Sequence, residues 1–181
     1  WSNNLNTNKS PKDFFFPQTE DLMRFKTEGK SIEVIDTRVE SEDFVIFGVR
    51  ACDVKSFEIL DRVFLTEPVD SYYASRREKG VIVSIACTKP AETCFCKTFG
   101  ISPEEPEGDV TTWKTDSEIF FKANTEKGEK FLSLIEDITE ECDTAAVDAE
   151  KARIAAIMEK LPLKELPVGA FGGEKTKELF D

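Results

Sequence analysis

Two unbroken apolar runs punctuate the chain, Phe44-Val45-Ile46-Phe47-Gly48-Val49 and Val81-Ile82-Val83-Ser84-Ile85-Ala86. Runs this short read as strands, and their lack of polar alternation predicts cover on both faces. Between them, residues 53–65 carry Val54, Phe57, Leu60, Val63 and Phe64 near helical spacing. Strand, amphipathic helix and strand in that order predict a βαβ unit with a parallel pair.

Elsewhere the pattern is weaker. Residues 1–12 read as a flexible polar lead-in, followed by the aromatic anchor Phe14-Phe15-Phe16-Pro17. Gln18 to Lys26 reads as a helix, with Thr19 as its cap, Leu22, Met23 and Phe25 on its apolar side, and Gly29 as its stop. Ser31 to Val39 alternates loosely through Ile32, Val34, Ile35 and Val39 and reads as a strand. Residues 97–109, with two Gly, two Pro and three Glu, read as a long loop. Val110–Trp113 and Ile119–Ala123 pair as a hairpin across Lys114–Ser117. Two helices follow: Glu129–Thr139, striped by Phe131, Leu132, Ile135 and Ile138, and Ala145–Leu161, striped by Val147, Ile154, Ile157, Met158 and Leu161. The expected fold class is α/β, a mixed sheet containing a parallel βαβ unit, with an additional β-hairpin and C-terminal helices. Residues 13–161 make the folded domain, and 162–181 a linker or docking tail.

Composition narrows the chemistry. At 181 residues, 40% apolar and 33% charged, the chain is long enough to bury a core without disulfides or metals. Its 24 basic and 36 acidic residues leave a net charge of −12, which repels phosphate backbones, and no basic stripe offsets it. A nucleic-acid partner is therefore excluded, and no run approaches the roughly 18–20 apolar residues of a membrane span. Histidine is absent, which removes Ser-His-Asp and Cys-His catalysis, His-ligated zinc and imidazole bases. Five cysteines and a start, Trp1-Ser2-Asn3-Asn4, with neither a basic nor an apolar leader point to a reducing cytoplasm.

Four of those cysteines converge on the predicted topology. Cys52 and Cys87 follow the two parallel strands and so share the carboxyl edge of the sheet, where open α/β sheets place ligands. Cys94-Phe95-Cys96 is close enough to fold back over the same edge. Four cysteines without histidine are a ligand set for an iron–sulfur cluster or for tetrahedral zinc. One C-x-C and two isolated cysteines do not form the paired knuckles of structural zinc, which tilts the choice towards the larger cluster. Other readings leave the thiols as small buried hydrophobes, or make one of them a nucleophile of depressed pKa. Cys142, in Glu140-Glu141-Cys142-Asp143, has no partner. Arg50 is placed to offset a cluster's negative charge, or else makes an ordinary ion pair. Asp53 reads first as the N-cap of the following helix and second as an outer acceptor or replacement ligand. Phe95 either shields the site or belongs to the core. Tyr72-Tyr73 with Arg76-Arg77 read as a helix face rather than as an anion- or partner-docking patch.

The motifs Phe47-Gly48-Val49-Arg50-Ala51-Cys52-Asp53, Asp70-Ser71-Tyr72-Tyr73 with Arg76-Arg77-Glu78, Ala86-Cys87-Thr88 and Glu92-Thr93-Cys94-Phe95-Cys96 occur in this order. With Ser10-Pro11-Lys12, Phe16-Pro17-Gln18-x-Glu20 and the ending Leu179-Phe180-Asp181, the chain resembles the beta subunit of cytoplasmic sulfhydrogenases and its counterpart in anaerobic sulfite reductases. The resemblance implies an electron-relay component of an oxidoreductase complex rather than a complete enzyme. Its partners would be a catalytic subunit for hydrogen, sulfur or sulfite, together with a flavin- or NAD(P)-binding subunit. It also implies one oxygen-sensitive [4Fe-4S] cluster on Cys52, Cys87, Cys94 and Cys96, with a ferredoxin-like domain carrying two further clusters after residue 181. The chain departs from the family pattern Ser-x-Gly-x-Gly-Pro after Cys96, where Ser102 stands for the second Gly. The competing expectation is a zinc-stapled protein-interaction domain without a redox role.

Overall fold

The computed structural model describes residues 9–40 and 42–162, so most of the expected lead-in and tail lies outside it. Strands β1 (Met23–Glu28) and β2 (Ser31–Asp36) form an antiparallel hairpin. Strands β3 (Phe44–Val49), β4 (Gly80–Ile85), β5 (Val110–Lys114) and β6 (Ile119–Ala123) form a four-stranded sheet in that order. β3 and β4 are parallel, β4 and β5 are parallel, and β5 and β6 are antiparallel. The mixed α/β sheet, its parallel unit and its hairpin are as expected from the sequence. A one-turn helix, α1 (Thr37–Glu40), precedes β3, and the crossover to β4 holds α2 (Ala51–Phe64) and α3 (Ser71–Lys79). After β6 come α4 (Glu126–Ser133) and α5 (Ala145–Met158). Among the described residues, no helix is long and apolar enough to cross a membrane.

The core has two centres. Ile46 and Val49 of β3 and Ile82 of β4 pack on Val54 and Phe57 of α2, Tyr73 of α3 and Phe15 of the aromatic anchor. Phe15 is fully buried, its ring 5.0 Å from Phe57 and 5.4 Å from Phe44; such a side chain contributes about 3–5 kcal/mol against truncation to alanine. Gly80 opens β4 because a Cβ there would drive into the rings of Phe15 and Phe44. The second centre joins Ala86 and Trp113 to Val147, Ile154 and Met158 of α5, with Cys96 packed against it.

Several elements differ from the sequence pattern, each for a local reason. Gln18–Lys26 is not a helix: Met23, Phe25 and Thr27 alternate with Arg24, Lys26 and Glu28, and β1 pairs Phe25 with Val34 and Lys26 with Glu33. Cross-strand pairing decides the element, and Gly29 stops it as the left-handed residue (φ +61°) of a two-residue turn. β2 ends before Val39 because the Asp36 carboxylate accepts the Arg38 N–H (2.9 Å) and starts α1. β3 is not covered on both faces: α2 and α3 pack on Ile46 and Val49, while Val45 and Phe47 stay 46% and 44% exposed. α2 begins at Ala51, so Asp53 lies in its first turn and is not the N-cap; Arg50 holds that position and makes no side-chain cap. α4 starts earlier than the apolar stripe because the Thr125 hydroxyl accepts the Gly128 N–H (3.2 Å), and a separate 3-10 turn at Glu136–Ile138 replaces its expected end. α5 stops at Met158 rather than Leu161. Tyr72, Tyr73, Arg76 and Arg77 do lie on one helix, where Tyr73 is buried, Arg76 pairs with Glu20 and Arg77 with Asp61.

Candidate functional site

The carboxyl ends of β3 and β4 share one edge of the sheet, and the cysteines enter there from three directions. Cys52 is the second residue of α2, immediately after the Arg50 turn. Cys87 lies two residues past β4, where its N–H donates to the Pro103 carbonyl (2.9 Å) and the Ala86 N–H donates to Thr112 (2.9 Å). The returning loop is tied by the Cys94 N–H to the Ala91 carbonyl (3.0 Å). Cys96 opens a 3-10 turn, Cys96–Phe99, that closes on Gly100 in the left-handed region (φ +64°). The Gly100 N–H satisfies the Cys96 and Lys97 carbonyls, a conformation that favours glycine. Ser102 needs no such freedom, since no non-glycine described residue has a positive φ. The departure at Ser102 therefore costs the loop no strain.

The thiols sense one another. Cys96 is pushed up to about 11, by burial first and then by Cys52, Cys94 and Cys87. Cys52 is raised by burial and then by Asp53, with Cys87 adding to the effect and the N–H groups of Asp53 and Cys52 itself opposing it. Burial also raises Cys87, against the Arg50 charge and the Lys89 N–H, with Cys94 adding to the rise. The Ala91 N–H donates to Cys94 Sγ (3.2 Å). Backbone donors on sulfur favour thiolate over thiol and are the contacts that tune sulfur ligands. Burial and neighbouring sulfurs disfavour the ionised forms of Cys52, Cys87 and Cys96, a cost that a bound cation would offset. In chemistry, the set fits a thiolate-held metal group.

The fit is not yet a ligand cage. Among the described residues, no group of three or more His, Cys, Asp or Glu side chains stands in a metal-holding arrangement. All five cysteines are free; Cys52 and Cys142 are exposed, and Cys87, Cys94 and Cys96 are partly buried. Arg50 acts on both Cys87 and Asp53. Asp53 is raised by burial, with Lys12 and Arg50 pulling it back. No spacing in the sequence signals Lys12, which the Pro11–Phe14 turn brings to α2. Phe95 is not core: it is 50% exposed, with its ring 5.6 Å from the equally open Phe99.

Fold and site together define the class: an α/β domain in which a parallel strand pair and a returning loop set four cysteines in electrostatic reach of one another. The chain is 32% identical over 155 residues to sulfhydrogenase 2 subunit beta of Pyrococcus furiosus, covering 83% of this chain and 45% of the relative. It belongs to the sulfhydrogenase beta-subunit family. The chain spans a little under half the length of that relative. No family model matches the chain, and no solved structure matches it.

Proposed function

We propose that this domain is an iron–sulfur electron-transfer component of a hydrogenase-type or sulfur- or sulfite-reductase-type complex, with Cys52, Cys87, Cys94 and Cys96 as ligands of one [4Fe-4S] cluster. The observation that carries this reading is the placement of Cys52 and Cys87 just past the ends of two paired parallel strands, with Cys94 and Cys96 on the loop that returns to the same edge, in a chain without histidine. Such a group supplies one-electron chemistry when bound. The chain's own residues do the rest. Arg50 offsets negative charge at the corner, and Asp53 limits that offset as an outer acceptor. The Cys87 N–H is tied to the Pro103 carbonyl, and the loop bearing Cys94 and Cys96 is tied by the Cys94 N–H to the Ala91 carbonyl and by the Ile101 N–H to the Cys96 carbonyl; the four cysteines would hold the cluster. The named relative is one subunit of a sulfhydrogenase; a cytoplasmic setting beside a flavin- or NAD(P)-binding subunit and a catalytic subunit is the arrangement we propose for this chain.

Anaerobic reconstitution with iron and sulfide tests the assignment. A broad absorbance near 400 nm with about four iron and four sulfide per chain supports it. Serine at any one of the four positions is expected to remove most of the iron, and Cys142→Ser to leave it. Colourless chain with one tightly held zinc, or equal iron in all five variants, overturns it.

A further inference from the structure

Helix α5 touches both of the segments that carry the later cysteines. Its Val147, Ile154 and Met158 pack with Ala86 and Trp113, and Cys96 lies against the same buried cluster. Ala86 immediately precedes Cys87, so one apolar cluster meets both stretches of chain. Polar contacts from α5 then reach the residue that follows each cysteine. Arg153 extends a terminal nitrogen to the Thr88 carbonyl (3.5 Å). Glu150 aims that guanidinium, accepting from its Nε (2.7 Å) and from the same terminal nitrogen (2.6 Å). Glu159 forms an ion pair with Lys97, the residue after Cys96.

Glu159 stands where a helix does not favour it. It is the C-cap residue of α5, at the end where the backbone dipole disfavours a negative charge. The last turn of α5 has no basic residue of its own, so Lys97 brings the positive charge that this helix end lacks. A carboxylate set against its own helix is accounted for by what it holds: the 3-10 turn, Cys96–Phe99, that Cys96 opens. Glu159 is 60% exposed and Lys97 33%, and a pair so placed adds little to the stability of the whole fold. Its effect falls on the turn.

We propose that Glu159, at the end of α5, is a positioning residue for Cys96, holding the cysteine's turn against the second core centre through Lys97. That Cys96 is a cluster ligand rests on the proposed function; the positioning itself does not.

Charge reversal across the pair tests this in the full chain. Glu159→Lys, Lys97→Glu and the double exchange are each treated, reduced and iron-free, with a neutral alkylating agent, and the rate at every cysteine is read by peptide mass spectrometry. Each single reversal sets like charges together, and Cys96 is expected to react about fivefold faster in both. The double exchange restores an opposite-charge pair and is expected to return Cys96 to the native rate. Cys52, carried by α2, is expected to keep its native rate throughout, with the urea midpoint unmoved. A direct effect of charge on the thiol would shift the two single variants in opposite directions, since one adds positive and the other negative charge beside Cys96. That result, unchanged rates at Cys96, or equal acceleration at Cys52 overturns the proposal. After anaerobic reconstitution, both single variants are expected to surrender iron to a chelator about fivefold faster than the native chain and the double exchange; equal release from all four chains also overturns the proposal. If Cys96 responds as described in a chain that never takes up iron, the positioning role stands and the cluster assignment falls.

Discussion

The two ends of helix α2 treat their acids in opposite ways. Near its carboxyl end, both oxygens of Asp61 are satisfied: the Tyr73 hydroxyl donates to Oδ1 (2.7 Å), and Arg77 donates through Nε to Oδ1 and through a terminal nitrogen to Oδ2 (both 2.8 Å). Burial pushes Asp61 up, but these donors outweigh it and the net shift is downward. At the amino end, Asp53 is buried to a similar degree and is raised by that burial, with only the more distant pull of Lys12 and Arg50 to offset it. Beside it Cys52 is raised as well. One end of the helix satisfies its charges within the fold. The other holds groups whose charged forms the fold alone does not support, as expected where a bound group completes the structure.

Loading the thiol corner would sharpen that contrast most. Hydrogen exchange on the iron-free chain should find the amides of residues 88–100 poorly protected and those of α3 strongly protected. After anaerobic reconstitution, exchange in residues 88–100 is expected to slow about a hundredfold, while α3 stays as it was. Uniform slowing across both regions would mean that iron stabilises the fold globally and that the corner was already formed.

The closed end can be broken deliberately. Asp61→Asn removes the charge under Arg77, whose guanidinium also lies over the rings of Phe15 and Phe57 (5.1 and 5.6 Å). A partly buried guanidinium left with a weaker acceptor should cost about 2 kcal/mol at neutral pH, read from urea unfolding. The sign of the pH effect follows from the shift. Asp61 is held below its ordinary 3.8, so its stabilisation is present above that value and is lost as pH falls through the folded one. The native chain should therefore lose stability below about pH 4 more steeply than Asp61→Asn. Parallel curves would show that other carboxylates carry the acid response.

Much of this contrast is legible in the sequence, and the part that is not has a physical cause. The runs at Phe44–Val49 and Val81–Ala86 specify strands by their short length and β-branched and aromatic content, although only the second is buried along nearly all of its length. The position of Cys52 and Cys87 after those runs then brings both to one edge. The start of α2 escapes the reading because Arg50 is no preferred cap, so Asp53 looks like one and is not. β1 escapes because Leu22, Met23 and Phe25 fit a helical stripe, and only its pairing with β2 selects the strand. The N–H groups on the sulfurs and the reach of Lys12 to α2 are products of loop geometry, which side-chain patterns do not encode.

The smallest effect comes from the helix starts themselves. Asp70 caps α3: its Oδ1 accepts the N–H groups of Tyr72 and Tyr73, both at 3.0 Å. α2 has no such side-chain cap, and the Asp53 and Val54 N–H groups of its first turn donate instead to the Arg50 carbonyl, both at 2.9 Å. Asp70→Ala should cost about 1 kcal/mol in urea unfolding, the usual worth of an N-cap, because two amides at the end of a packed helix lose their acceptor. The same variant should bind as much iron as the native chain, since α3 supplies nothing to the cysteine corner. A loss of iron in proportion to the loss of stability would mean that the α3 end and the cysteine edge unfold as one unit. Unchanged iron at reduced stability would mean that α2 is stiff enough to hold Cys52 in place while its neighbour frays, which is what a fixed ligand site at an uncapped helix start requires.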